Sequence, residues 1–211
     1  MRDGDELILP GAFLYTAERF GLIGDLDRWV IHHALNDIAV PPGQALNINL
    51  SGDSVTDAEI PHFIERQLAA SGRDPASIVF EVTETAAIAN MDSARTFVTQ
   101  ISDLGCNIAL DDFGAGFSSF YYLKYLPLDF VKIDGEFIRN LAASTTNQVL
   151  VEAIVIMAHG LGQQAIAEHV EDAAAVEVLR RLEADHGQGY YLGRPAPASD
   201  PPVSAGHNSG H

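Results

Sequence analysis

The sequence predicts an α/β protein built as a modified TIM-type barrel of parallel βα units. Apolar segments of strand length alternate with helical segments along most of the chain, and the connections between them are short. Polar residues also lie at or near the carboxyl ends of the predicted strands. In a βα barrel those ends form one rim, and the active sites of such barrels lie there. The same pattern therefore predicts both the fold and the position of a site.

The predicted elements begin with two helices and continue as alternating strands and helices. Pro10 to Phe20 is predicted as the first helix, because proline lies in its first turn and Gly21 follows it, and Asp25 to Ile38 as the second. The predicted strands cover residues 45–50, 78–83, 107–111, 129–133, 164–168 and a short segment near 188–191. The predicted helices between them cover residues 58–70, 93–104, 120–125, 135–141, 147–159 and 173–183.

The composition is that of one globular domain with an acidic surface. The 211 residues are 47% hydrophobic and 19% charged, and no apolar run reaches the length of roughly 18 residues that suggests a membrane span. The chain has no secretory signal pattern and a single Cys106, so we expect a soluble, cytoplasmic protein. Its net charge of −17 argues against DNA or RNA as a partner. A phosphorylated ligand would need a local positive charge, which a divalent metal supplies.

Side-chain alternation directs charged residues toward the inside of the predicted barrel. Ile78, Phe80 and Val82 share one face of their strand, so Glu81 lies on the other. The same count places Lys132 on the inner face of its strand. Polar groups inside a barrel are costly unless they are paired with charge, metal or ligand. These two residues therefore indicate a functional interior.

The oxygen ligands at the predicted rim favour magnesium or manganese over zinc. Glu81, Asp111 and Glu168 come from separate strands, with Asp112 adjacent and Asn49 as a neutral donor. Two cations bridged by Asp111 would suit phosphodiester hydrolysis, with Lys132 near the phosphoryl oxygens. Simpler roles stay open for each residue: a turn cap for Asn49, an internal ion pair of Glu81 with Lys132, an Asx turn for Asp112, and a helix start at Glu168 and Glu171. A glycosidase-like carboxylate pair is a further alternative, but it explains neither the lysine nor the number of acids.

A set of motifs, in order and spacing, resembles the EAL domain family of cyclic-di-GMP phosphodiesterases and their non-catalytic relatives. The motifs are INLS, FEVTET, IALDDFGAGFSSFYYLKYLPLDFVKID, IAEHVE and GQGYYLGRP. The resemblance implies Mg²⁺- or Mn²⁺-dependent opening of cyclic di-GMP to linear pGpG on two metal ions. It also implies a domain over residues 1–195, a homodimer, and an upstream sensor or GGDEF-type domain as a possible companion. The residues 196–211 are expected to form a disordered tail.

The resemblance also implies roles for individual residues. The metal ligands are Asn49, Glu81, Asp111 and Asp112. The catalytic residues are Lys132, Glu168 and Glu171, and the substrate-binding residues are Gln188 and Asp134. Glu84 anchors the loop that follows Asp112.

Two departures from the family pattern bear on activity. The chain opens after the place of the first strand with its Glu-Ala-Leu signature, so we expect a barrel without that strand and without one metal ligand. His169 stands where the family usually has glycine, a larger change that is expected to crowd the rim. The alternative function is therefore a catalytically degenerate module that binds cyclic di-GMP or a protein partner.

Overall fold

The computed structural model describes residues 2–3, 6–41, 43–115 and 123–196. Its strands are β1 (Arg2–Asp3), β2 (Glu6–Leu7), β3 (Leu46–Leu50), β4 (Ile78–Thr83), β5 (Asn107–Phe113), β6 (Phe130–Ile133), β7 (Gln164–Ala167) and β8 (His186–Gly187). Its α-helices are α1 (Leu14–Arg19), α2 (Ile23–Asn36), α3 (Gly52–Thr56), α4 (Glu59–Ser71), α5 (Glu84–Ala89), α6 (Met91–Asp103), α7 (Gly135–Ile138), α8 (Thr145–Gly160) and α9 (Ala173–Arg181). Short 3₁₀ helices cover Pro10–Ala12, Pro75–Ser77, Leu123–Tyr125 and Leu141–Ala143.

A parallel sheet of six strands forms the centre of the fold. The strands lie side by side in sequence order, from β3 to β8, and curl into a half-barrel. β1 and β2 pair only with each other, as a small antiparallel hairpin. Among the described residues, β3 and β8 each pair with one neighbour, so the sheet has two open edges. The predicted α/β fold with parallel strands is confirmed, as an open half-barrel.

The two faces of the sheet divide as alternation predicts. Ile78, Phe80 and Val82 of β4 are buried in the hydrophobic core, where the helices pack against the sheet. Glu81 lies in the same strand on the opposite, inner face, and Lys132 of β6 lies on that face too. The core helix α2 contributes Ile31. The outer face thus stabilises the fold by apolar burial, while the inner face presents polar groups.

Most predicted elements match the structure to within a few residues, and β4 matches at both ends. The helix predicted over Pro10 to Phe20 is instead a 3₁₀ turn followed by α1. The sequence reading missed α3 and α5, which begin directly after strands and are capped by the side chains of Ser51 and Thr83. Residues 120–122 of one predicted helix and 197–211 of the predicted tail lie outside the described residues.

The predicted strand at 188–191 is wrong, because the last strand is β8, just before it. His186 and Gly187 pair with Ile166 and Ala167 of β7, and the chain then turns away at Gly189. A Cβ at Gly189 would lie 2.2 Å from the backbone nitrogen of Val170, so only glycine fits this close approach. Gln188 therefore follows the strand and lies at its carboxyl end.

None of the helices in the described ranges combines the length and the apolar character needed to span a bilayer.

Candidate functional site

Lys132 is the centre of a charged cluster on the inner face of the half-barrel. Its side chain is 4% exposed, and its Nζ lies 2.7 Å from Glu81 Oε2, 2.8 Å from Asp111 Oδ1 and 2.8 Å from Glu168 Oε1. Burial by itself would lower the pKa of Lys132, but the charge of Glu81 and the contacts with Asp111 and Glu168 outweigh burial and raise it. Lys132 is therefore a permanent cation that joins carboxylates from three other strands or strand ends.

Glu81 is held from two sides. Its Oε2 accepts a hydrogen bond from Lys132 Nζ, and its Oε1 accepts one of 2.5 Å from Asn47 Nδ2. The internal ion pair that the sequence left open for Glu81 is therefore present. Asn47 was not among the predicted site residues, although alternation had placed it on the same face as Asn49. Asn49 itself is exposed on β3, in register with Glu81 on β4.

A β-bulge explains how Asp111 and Asp112 serve the same site. Neighbouring residues of a regular strand point to opposite faces. Here the pairing of β5 with β6 shifts register between Leu110 and Phe113, and Asp112 has a φ of 55°, in the left-handed region. Such a bulge re-aims a side chain. As a result, one carboxylate oxygen from each of Asp111, Asp112 and Glu168 lies within 4.8 Å of the other two.

The electrostatics of these three carboxylates suit a hard divalent cation. Burial raises the pKa of Asp112, and the neighbouring charges of Asp111 and Asp134 add to the effect. Burial likewise raises the pKa of Glu168, against the opposing contact with Lys132. Asp111 Oδ1 is buried and, apart from its ion-pair contact with Lys132, has no hydrogen-bond partner among the described residues. Oxygen ligands with repelling charges and an unsatisfied atom fit a divalent metal.

The remaining predicted residues surround this cluster. Buried Glu84 accepts a hydrogen bond of 3.0 Å from the backbone N–H of Gly114, directly after the bulge. Asp134 caps α7 by accepting from the N–H of Glu136. Glu171 and Gln188 line a cavity of about 590 Å³ that Glu168 also borders. The structure thus brings all ten predicted residues to one end of the half-barrel, while their individual roles stay predictions.

Four residues of the cavity wall were missed by sequence reasoning as binding groups: Arg139, His169, Tyr190 and Arg194. The sequence did place His169 near the rim. The two arginines carried a usable signal, since the chain has only 12 basic residues and both follow segments that end at the rim. The guanidinium carbon of Arg194 lies 5.1 Å from the centre of the Tyr190 ring. Cationic and aromatic groups therefore border the carboxylate cluster.

We expect Asp112→Asn to stabilise the chain when no divalent cation is present. The raised pKa of Asp112 means that its ionised form is disfavoured in the folded state, and asparagine removes that charge. A gain of about 0.5 kcal/mol would raise the melting temperature by about 1–2 °C at pH 7. The advantage should vanish as pH falls toward the unfolded pKa of 3.8, where aspartate is protonated in both states.

Thermal melts in EDTA from pH 4 to 8 measure this effect. Asp103→Asn, on the exposed face of α6, is the matched control and should change nothing. A variant that melts below the wild type at pH 7 in EDTA would contradict the repulsion among these carboxylates.

Comparison with known proteins gives consistent matches along almost the whole described chain. Residues 1–195 match the family model described as EAL domain. The chain is 38% identical over 202 residues to a protein of Escherichia coli (strain K12) named cyclic di-GMP phosphodiesterase PdeF, covering 94% of this chain and 27% of PdeF. The chain thus spans about a quarter of the length of that curated relative.

Solved structures agree with the sequence matches. The chain superposes on the c-di-GMP complex of PaMucR phosphodiesterase with a TM-score of 0.84 and 35% identity, over 93% of this chain and 82% of that one. It superposes on the FimX EAL domain from Pseudomonas aeruginosa bound to c-di-GMP with a TM-score of 0.85 and 30% identity, over 90% of this chain and 78% of that one.

Proposed function

The chain belongs to the EAL domain family, and we propose that it hydrolyses cyclic di-GMP to linear pGpG with two bound Mg²⁺ or Mn²⁺ ions. The observation that carries the proposal is the cluster of Asp111, Asp112 and Glu168 beside a cavity of about 590 Å³. A cavity of this size is within the range of small-molecule sites. Relatives named as phosphodiesterases and structures named as c-di-GMP complexes support the choice of substrate.

The proposed reaction adds one water across one phosphodiester bond. The water oxygen bonds to phosphorus, the bond from phosphorus to the 3′ oxygen breaks, and that oxygen takes up a proton. Asn49, Glu81, Asp111 and Asp112 would hold the ions, which when bound make water acidic and stabilise the leaving oxygen.

The chain's own residues supply position and charge in this scheme. Lys132 is fixed by three carboxylates, so its ammonium group offers preorganised positive charge to the attacking water or the phosphoryl oxygens. Glu168 and Glu171 would orient the water and accept its proton. Gln188, at the carboxyl end of β8, and Asp134, at the start of α7, would hold the nucleotide. Glu84 would fix the backbone after the bulge through Gly114.

A second candidate function is binding of cyclic di-GMP without hydrolysis. The described carboxylates that come within 4.8 Å of one another are Asp111, Asp112 and Glu168, whereas Glu81 is engaged by Lys132 and Asn47. A chain that holds fewer ions than hydrolysis needs would act as a receptor for the nucleotide or as a protein-interaction module.

The setting of the domain forms part of the proposal. We place it in the cytoplasm, as a homodimer, next to a sensor or GGDEF-type domain of a longer protein. The buried thiol of Cys106, whose pKa burial raises to about 12, is unreactive and suits this location.

Incubation of the chain with cyclic di-GMP and Mn²⁺, followed by ion-exchange chromatography, tests the proposal. We expect pGpG to accumulate with time, and we expect excess EDTA to stop it. If the folded chain binds cyclic di-GMP saturably by calorimetry but yields no pGpG at high protein concentration, the receptor function replaces the enzyme. If neither binding nor product is found, both functions are wrong.

A further inference from the structure

His169 has a backbone conformation that normally favours glycine. Its φ is 51°, in the left-handed region, and it directly follows Glu168. A residue with a Cβ is disfavoured there, and such strain tends to persist only where the surrounding structure holds it or where function uses it. Glycine at this position would remove the strain. The presence of histidine therefore calls for a contribution from its side chain.

The imidazole ring of His169 has a fixed place above the start of α7. A Cβ added to Gly135 would lie 2.2 Å from His169 Cδ2 and 2.6 Å from Cγ. The ring thus packs directly on the Gly135 backbone, and Gly135 leaves the room for it. The ring is exposed on its other side, where it lines the cavity with Glu168 and Glu171. Its orientation is set before any ligand arrives.

The cavity wall around His169 has the chemistry that recognises a purine base. Tyr190 adds a second ring, and Arg139 and Arg194 add guanidinium groups in a chain that is otherwise strongly acidic. Nucleobases stack on histidine and tyrosine rings. Arginine can donate two hydrogen bonds to O6 and N7 of guanine. The wall lies beside the carboxylate cluster through Glu168, which belongs to both.

We infer that this cavity is a base-binding subsite and that His169 is a specificity residue whose ring stacks on one guanine of the dinucleotide. The inference rests on the proposed function, because it assigns the cavity to a part of the same substrate. The backbone strain is retained because the ring in this position contributes to binding. The cost in stability and the gain in affinity can then be separated by substitution.

Calorimetry with cyclic di-GMP in Ca²⁺, together with thermal melts, separates them. His169→Gly and His169→Ala both remove the ring, and each is expected to raise the dissociation constant about tenfold, a loss of about 1.4 kcal/mol. Only His169→Gly also relieves the strain, so it should melt about 2–4 °C above His169→Ala.

Glu183 offers a matched control, because it is exposed, has a φ of 60° and follows α9 away from the cavity. Glu183→Gly should likewise melt above Glu183→Ala, but both should bind cyclic di-GMP like the wild type. If both His169 variants bind within twofold of the wild type, the ring is a structural filler and the inference is wrong, while the proposed function stands. If the wild type itself does not bind, the inference falls together with the proposed function.

Discussion

Lys132→Met is expected to lower the free energy of unfolding by about 3–5 kcal/mol. Methionine has a similar length but no charge, so the variant leaves the buried carboxylate of Glu81 without its cation. It also removes the ion-pair contacts to Asp111 and Glu168. Removing one partner of a buried pair exposes the full cost of burying the other charge. The loss is large relative to the stability of about 5–15 kcal/mol that is typical of a domain.

The pH dependence of this loss has a defined sign. Without Lys132, burial and mutual repulsion raise the pKa values of the remaining carboxylates in the folded state. A carboxyl group with a raised folded pKa costs stability above that pKa and costs none below its unfolded pKa. The gap between Lys132→Met and the wild type should therefore be widest at neutral pH and should narrow as pH falls toward about 4.

Urea unfolding of both proteins in EDTA measures the gap, with exposed Lys124→Met as the control for loss of a lysine. The double variant Lys132→Met, Glu81→Gln keeps the test decisive if the single variant barely folds. Because it removes both charges, it should be more stable than Lys132→Met alone. A single variant that loses less than about 1 kcal/mol would show that the carboxylates relax without the lysine.

The parts of the fold that the sequence predicted well are those that local pattern controls. β4 has strict alternation with Glu81 as the one charged residue, so its ends and its inner face were both predictable. The short β8 carries no such pattern, because its pairing depends on β7 and on the close approach of Gly189 to Val170. Two residues are too few to show a period. The exposed Tyr190 and Tyr191 suggested a strand instead.

The candidate site shows the same division. The convergence of Glu81, Asp111 and Glu168 follows from the parallel topology, since the carboxyl ends of neighbouring strands share one edge. The shared site of Asp111 and Asp112 does not follow, because regular alternation would separate them. Only the bulge and the positive φ of Asp112 bring them together. The strain at His169 is likewise a property of the folded backbone.

Asp111→Asn is expected to reduce the rate of pGpG formation by at least about a thousandfold, equivalent to about 4 kcal/mol of transition-state stabilisation. Asp111 is the carboxylate that belongs to both parts of the site: its Oδ1 contacts Lys132, and one of its oxygens lies with those of Asp112 and Glu168. Asparagine keeps the shape but removes the charge. It also turns one oxygen into a donor, which cannot bind a cation.

The structural cost of the same change should be small, and this distinguishes Asp111 from Lys132. Glu81 and Glu168 still pair with Lys132 in the variant, so no buried charge is left without a partner. We expect a change in unfolding free energy within about 1 kcal/mol. Mn²⁺ should raise the melting temperature of the wild type but much less that of the variant, because a cation stabilises only a chain that binds it.

Rates of pGpG formation and melts across an Mn²⁺ titration test both halves, with Asp103→Asn on exposed α6 as the control for the same chemical change. A variant that keeps more than a tenth of the wild-type rate would show that Asp111 is not the shared ligand. If the wild type binds cyclic di-GMP but makes no pGpG, the Mn²⁺ titration still measures the ligand role of Asp111. The cluster beside Lys132 would then hold a cation for binding the nucleotide, and the loss of Mn²⁺ stabilisation in Asp111→Asn would still be expected.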